Sequence, residues 1–300
     1  MAEGDSLVRI ARKLRPVMLD REIVAASAPN QRSSLRVHAR RLEGRTVESI
    51  ETRGKHLLIH LDEGLSLHSH LGMNGGWRVD DGRGFGKPDR LAWLLLELEE
   101  AGDDGSAHAG AEARPSAAGD PRPLIRVGQF GGTTLRLVRT AELARDSRLA
   151  LLGPDILGQD FDLESAAARI RSSPDEIGVT LLDQRLVCGI GNIFKSEACF
   201  EAGIDPWRPA ASLAVAGGGA ASAGSPEVDD ESAEESRDEA IRLLQTARQQ
   251  MQAAVETGRR PGRIYKKAGR PCFRCRRARI RSRGQGEDNR TTYWCPNCQT

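Results

Sequence analysis

The sequence predicts a multidomain α+β chain: an N-terminal helix with a β-sandwich, then a helical domain, then a small cysteine ribbon. Three observations carry this. Eight short apolar runs separated by glycine and aspartate fill the first half. Helical periodicity replaces them past Asp155, and four of the six cysteines crowd the C-terminal end. Runs of strands followed by runs of helices are the pattern of an α+β chain rather than a parallel α/β sheet.

The elements follow in order. Leu7, Ile10, Ala11 and Leu14 recur at helical spacing among basic residues, predicting a helix over 5–19. The strand candidates are SLRVHARRLEG, TVESIETRG, HLLIHLDEG, LSLHSHLGM, GWRV, LAWLLLEL, LIRVGQFGG and TLRLVRT. The segments DLESAAARIRSS, PDEIGVTLLDQRL, NIFKSEACFEAG and DEAIRLLQTARQQMQAAVETG read as helices, with Asp, Pro, Ser or Asn at their starts and Gly near several ends. The expected organisation is 1–150, a β-sandwich domain with an acidic insertion at 97–120; 151–258, a helical domain with an insertion at 209–237; and 259–300, the cysteine module. Both insertions are acidic and rich in Ala, Gly and Ser. Such tracts bury too little apolar surface to offset chain entropy.

The formal net charge of +2 hides an asymmetry: residues 259–283 hold twelve Lys/Arg and no acidic residue. With the insertions set aside the remainder is basic, so an anionic partner is expected. Residues 1–20 lack an unbroken apolar core, and no run approaches the roughly 18 apolar residues of a membrane span. A cytoplasmic location without membrane association is the expectation, and the cysteine usage agrees with a metal site rather than a disulfide framework.

Cys272, Cys275, Cys295 and Cys298 form C-x2-C-x19-C-x2-C. Two such knuckles suit tetrahedral zinc, and a closed set of four thiolates makes that zinc structural. Lys266, Lys267, Arg270, Arg274, Arg276, Arg277 and Arg290 surround the knuckles. They read as a phosphate-contacting hairpin, with a merely solvated basic face as the alternative. In VCGIGN, Gly189 and Gly191 permit a left-handed backbone or close approach, and Asn192 is placed to cap the following helix. Helix N-termini and exposed glycine amides bind phosphate; a turn that needs glycine only for its geometry is the alternative.

The segments GKHLLIHL, HSHLGMNGGWRV, LLDQRLVCGIGN and RTTYWCPNCQ, in this order along the chain, resemble the formamidopyrimidine-DNA glycosylase/endonuclease VIII family. The EGD start, WRV and YWCPNCQ are most similar to its actinobacterial endonuclease VIII-like branch. The resemblance implies an N-terminal active site, a β-sandwich, a helix-two-turn-helix DNA-binding domain and a zinc finger. The implied activity is a DNA glycosylase/AP lyase of base-excision repair, acting as a monomer on damaged double-stranded DNA, with oxidised pyrimidines as the expected lesions. Such enzymes act on a nucleotide rotated out of the stack.

By the family pattern, removal of Met1 exposes the α-amine of Ala2, which attacks C1′ of the sugar. The base leaves, and the Schiff base is cleaved by β/δ-elimination. An α-amine (pKa about 7.7–8.0) is far more often unprotonated at neutral pH than a lysine (about 10.4). The same pattern has Glu3 protonate the sugar ring oxygen, Gly4 leave room for the deoxyribose and Lys55 contact the phosphate beside the lesion. Asn192 and Arg290 clamp the backbone from the helical and zinc hairpins, and Met73 fills the gap left by the extruded base. Gly189, Gly191 and Lys266 complete the expected DNA-binding set. Ordinary alternatives are a strand-end lysine for Lys55 and core packing for Met73. Phe130 is a second wedge candidate, and His68 and His70 are expected to hydrogen-bond structurally.

The departure is Ala2, where the family nearly always has proline. Three routes stay open: Ala2 acts as a weaker nucleophile, water performs base excision with a feeble lyase step, or the chain binds damaged DNA without efficient turnover. A transcription-type zinc ribbon would leave the front half of the chain unexplained.

Overall fold

The computed structural model describes residues 2–80, 82–99, 124–213 and 238–300. Most of both acidic stretches, 100–123 and 214–237, lies outside the described residues. The described chain forms two compact units, Met1–Ala2, Ile10–Thr52 and His56–Arg145 in one, and Glu3–Arg9, Arg53–Lys55 and Asp146–Thr300 in the other.

The N-terminal unit carries helix α1 (Gly4–Met18) from Ile10 onward and strands β1 (Glu22–Ser27), β2 (Arg45–Arg53), β3 (His56–Leu61), β4 (Leu65–His70), β5 (Gly76–Val79), β6 (Leu94–Glu99), β7 (Leu124–Phe130) and β8 (Thr134–Arg139). The strands pair in the order β5-β7-β6-β1-β2-β3-β4-β8. The β3–β4 hairpin is in simple antiparallel register, His56 opposite His70 and Leu61 opposite Leu65. Ala11, Leu14 and Met18 on α1 are buried at three- and four-residue spacing, as an amphipathic helix requires.

Two strand expectations are corrected. SLRVHARRLEG is not a strand: it forms turns followed by a single 3-10 turn, Ala39–Leu42. Its buried residues are Leu35, Ala39 and Leu42, spaced by four and three rather than two, while Val37 is exposed. The missing strand is β1, EIVAAS, whose alternation is broken by a bulge between Ile23 and Ala25. The acidic insertion also begins later than expected, because Glu97, Leu98 and Glu99 still pair with β7.

The N-terminal unit ends in the short helix α2 (Thr140–Leu143); the C-terminal unit holds α3 (Ser147–Ala150), then α4 (Leu163–Arg171), α5 (Ile177–Thr180), α6 (Asn192–Ala202) and α7 (Glu239–Thr257), and the hairpin β9 (Arg281–Gln285) and β10 (Arg290–Trp294). Asp162 caps α4 and Asp238 caps α7, each accepting from the second and third helical N–H groups. The helix expected over PDEIGVTLLDQRL is only one turn long; Leu182 and Asp183 continue as tight turns into the glycine loop. Residues 209–213, expected in an insertion, pack into the core through Ala210 and Leu213. The helical segment and the cysteine module form one unit: Phe200 of α6 sits in the same small core as Ile264, Cys272, Ile280 and Cys295.

Candidate active site

Glu3 immediately precedes α1 and belongs to the C-terminal unit. Its carboxylate is fully buried and accepts from the backbone N–H of Ile193 (2.9 Å) and Phe194 (3.4 Å). These are first-turn donors of α6, which has no capping side chain of its own. A residue nearly two hundred positions away thus supplies the cap. Asn192, expected in that role, instead donates from Nδ2 to the Thr291 carbonyl at 2.8 Å. The reason is local: Gly191 is the N-cap residue, and the space beside it is occupied, since a Cβ there would lie 2.3 Å from Glu3 Cδ.

Burial raises the Glu3 pKa above the ordinary carboxylate value, outweighing the opposing pull of the Ile193 N–H, Arg260, Lys55 and the Phe194 N–H. The desolvated environment favours a neutral acid, the form able to donate a proton. Next to it Asp5 is fully buried and held by Arg260 through two bonds, 2.8 Å from Nε and 2.6 Å from Nη2.

The glycines act differently from expectation. Gly4 donates to the Gly189 carbonyl at 2.9 Å, and a Cβ on Gly4 would meet Gly189 Cα at 3.1 Å. Its smallness serves this helix-to-loop packing. Gly189 has φ of +103°, a conformation that favours glycine, and its N–H donates to Gln184 Oε1. That amide is therefore engaged within the protein, not presented to a phosphate. Gly191 is extended, and the Glu3 carboxylate is what excludes a side chain there.

Lys55 follows Gly54, which turns the chain between β2 and β3 with φ of +58°. The Gly54 N–H donates to Asp155 Oδ2 at 2.7 Å, so a half-buried carboxylate from the second half of the sequence fixes this turn. Desolvation pushes the Lys55 amine down to about 8, with Glu3 raising it and Arg290 lowering it further. Two residues of this constellation were missed in the sequence, Asp155 and Lys195. Lys195 is completely buried on α6 and donates to Thr292 Oγ1 at 2.6 Å. A detectable signal existed: Lys195 shares an i, i+4 stripe with Cys199 on a helix otherwise read as packing. Cys188 and Cys199 are buried thiols pushed up to about 12 by desolvation, which makes them unreactive.

In the hairpin, the sulfurs of Cys272, Cys275, Cys295 and Cys298 lie within 4.8 Å of one another. The Cys272–Cys298 and Cys275–Cys295 sulfur pairs are 3.8 Å apart. A tetrahedron with zinc–sulfur bonds of about 2.3 Å has edges of about 3.8 Å, so the four residues fit such an ion. Glu197 of α6 anchors the approach to this module, accepting from the backbone N–H of Arg263, Ile264 and Tyr265. Lys266 is exposed and in a left-handed conformation; the Arg290 side chain is about half exposed, with Nε 3.8 Å from Asp288.

The N-terminal unit places the other candidates. The Ala2 nitrogen donates to the Gly72 carbonyl at 3.2 Å. Met73, one residue on, is 62% exposed, so the core-packing alternative is excluded. Phe130 is 3% exposed and packs edge-on against Phe85, so the second-wedge expectation is corrected: the ring is core. His68 is buried and hydrogen-bonds through Nε2 to His56 and through Nδ1 to Arg136, while His70 Nδ1 pairs with Thr133.

With this geometry in hand, comparison with known proteins is direct. The formamidopyrimidine-DNA glycosylase N-terminal domain matches residues 1–113, and the corresponding H2TH domain matches 152–221. A probable endonuclease 8 2 of Streptomyces coelicolor is 34% identical over 317 residues, covering all of this chain and 94% of the relative. The chain belongs to the formamidopyrimidine-DNA glycosylase/endonuclease 8 family. Other relatives in this family of DNA glycosylases include the DNA-(apurinic or apyrimidinic site) lyase Nei2 of Mycolicibacterium smegmatis, 30% identical with 100% and 99% coverage. The formamidopyrimidine-DNA glycosylase of Bradyrhizobium is 32% identical over the full length of both chains. Among solved structures, the MutM (Fpg) protein of Thermus thermophilus superposes with a TM-score of 0.69 at 26% identity, covering 99% of this chain and 98% of that one. Family membership makes the chain an enzyme of base-excision repair. No helix among the described residues is long and apolar enough to cross a membrane.

Proposed function

We propose that this chain removes oxidised bases, pyrimidines foremost, from double-stranded DNA and then cleaves the strand through the Ala2 amine. The observation that carries the reading is Glu3: a fully buried carboxyl with a raised pKa, pinned by two helix N–H groups, directly following in sequence the residue whose amine Met1 removal exposes. Glu3 donates its proton to the sugar ring oxygen as C1′ loses the base. The Ala2 nitrogen forms the new bond to C1′, and loss of the ring C1′–O bond leaves a Schiff base. Elimination of the 3′ phosphate, and then of the 5′ phosphate, cuts the strand. Lys55, with an amine near 8, remains largely cationic at neutral pH and supplies charge for a phosphate. Asn192 and Arg290 form the phosphate clamp, Lys266 adds a backbone contact, and Met73 fills the vacated stack. Gly189 and Gly191 shape the loop that presents α6 to the DNA rather than binding phosphate themselves. The cysteine cluster holds one structural zinc, the protein works as a monomer, and its compartment is the cytoplasm. The proposed partition is a catalytic segment over 1–150, a helix-two-turn-helix segment over 151–258 and a zinc finger over 259–300; the family matches over 1–113 and 152–221 support the first two.

Borohydride reduction during reaction with abasic-site and thymine-glycol duplexes tests this. A covalent adduct mapped to Ala2 is expected. Base release without an adduct would assign excision to water, and tight binding with neither would leave a damage-binding protein. Ala2→Pro should raise strand cleavage, because the ring restricts the terminus and its secondary amine gives an iminium that is cationic without added protonation; unchanged or lower cleavage contradicts this account of the alanine.

A further inference from the structure

We propose that Lys195 is a positioning residue of the phosphate clamp, latching β10 at the register that sets Arg290 beside Asn192. The inference rests on the reading of Asn192 and Arg290 given above.

Lys195 is an anomaly as a packing residue. Its side chain is completely buried, in the first turn of α6, where the helix dipole disfavours a cation. A buried ammonium is costly unless it is bonded. Among the described residues its one hydrogen bond runs to Thr292 Oγ1, at 2.6 Å. That hydroxyl in turn donates to Gln285 Oε1 at 2.6 Å, and Gln285 Nε2 donates to Glu176 Oε2 and the Pro206 carbonyl, each at 2.8 Å. A continuous buried chain of donors therefore runs from α6 through both strands of the hairpin to the segment around α5.

The spacing is what makes this a latch. Asn192 and Lys195 are three apart on α6 and share a face. Their partners, Thr291 and Thr292, are consecutive on β10 and directly follow Arg290. Two fixed points on successive residues define both the height and the rotation of a strand, which a single bond does not. The Asn192 Oδ1 is buried without a partner, so the amide's orientation is set by its donation to Thr291. Arg290 is thus held by the backbone on which it stands, leaving its guanidinium half exposed.

The charges near the amine couple the latch to DNA. Burial brings it down to about 8, with Glu3 favouring the ammonium and Arg290 opposing it. A phosphate on Arg290 removes that repulsion, so DNA binding and the charged latch support each other.

The test compares wild type with Lys195→Met, Lys195→Arg, Thr292→Val and the Lys195→Met/Thr292→Val double variant on one abasic-site duplex, with zinc content and Tm recorded. Lys195→Met should raise KM about tenfold while kcat stays within about twofold and zinc content is unchanged. Thr292→Val should match it, and the double variant should be no worse than either single, as for one shared bond. Lys195→Arg should keep tight binding at neutral pH and lose the part of the wild-type KM rise above about pH 8 that belongs to this amine, since guanidinium does not titrate there. An unchanged KM in Lys195→Met, strictly additive losses, or an Arg variant with the wild-type pH profile would each overturn the proposal. Should the Met or Val variants lose zinc, Thr292→Ser decides: it keeps the hydroxyl, and binding as weak as in Thr292→Val rules the latch out. A wild-type protein inert towards the duplex would instead defeat the functional reading on which the latch depends.

Discussion

In the N-terminal unit the buried polar side chains are Ser33, Ser66, His68, Ser69 and Gln129, with no carboxylate or amine among the described residues. In the C-terminal unit the start of α1 and the first two turns of α6 alone bury Glu3, Asp5, Lys195 and Glu197. The first is a sheet whose apolar faces carry its stability, with Met73 on a loop and Ala2 hydrogen-bonded to the same loop at Gly72. The second keeps desolvated charges that cost stability and are useful only as positioned chemistry. The contrast teaches where to look in such a chain: the apolar pattern marks scaffold, and the buried ionisable groups mark function.

The contrast is broken most severely at the metal module. Zinc chelation, or Cys295→Ser, should abolish DNA binding and remove hydrogen-exchange protection from the β9 and β10 amides, while the β3–β4 amides keep theirs. Loss of protection in both hairpins would show that the units are not separately stabilised. Glu3→Gln comes next: steady-state base excision should fall about 10²- to 10⁴-fold, the usual range for losing a general acid. The amide oxygen still accepts from α6, so Tm should barely change. Excision at the parent rate would remove Glu3 from the mechanism.

Phe130→Ala offers the converse, a scaffold lesion without a chemical one. Truncating this buried ring should cost about 3–5 kcal/mol in denaturant unfolding of the N-terminal unit, with KM for DNA unchanged in the folded fraction. A smaller effect of opposite kind is expected at Lys195. Its folded pKa is about 8 against an ordinary 10.5, so between these values the unfolded chain binds the extra proton. Relative to Lys195→Met, wild type should therefore gain stability as pH rises from about 8 to 10.5, by about 3 kcal/mol, and lose it over the same window as pH falls from 10.5 to about 8. A flat difference across that window would mean the amine is not desolvated. Smallest of all, Met73→Ala should shift stability by less than about 0.5 kcal/mol, as exposed substitutions do, while slowing excision. A larger stability loss would return Met73 to the core.

Much of the architecture was legible because it rests on period. Leu14 and Met18 on α1, the Asp162 and Asp238 caps and the cysteine spacing are local signals, readable within a few residues. Where period fails, the pattern misleads: the bulge hides β1, and three- and four-residue spacing in SLRVHARRLEG mimics alternation. Asn192 satisfied every local rule for a cap and does not cap, because Glu3 occupies the place first.

By itself the sequence determined the family, the four-thiolate module, the basic C-terminal stretch and the acidic residue beside a terminal amine, all of them matters of residue type at fixed separation along the chain. Only the tertiary structure decided that Glu3 caps α6, that Asp155 holds the turn before Lys55, and that Lys195 is buried against Thr292. Each joins residues about a hundred or more positions apart. Desolvation and hydrogen bonding depend on distance in space, and a linear pattern carries no record of which distant group will fill a given vacancy.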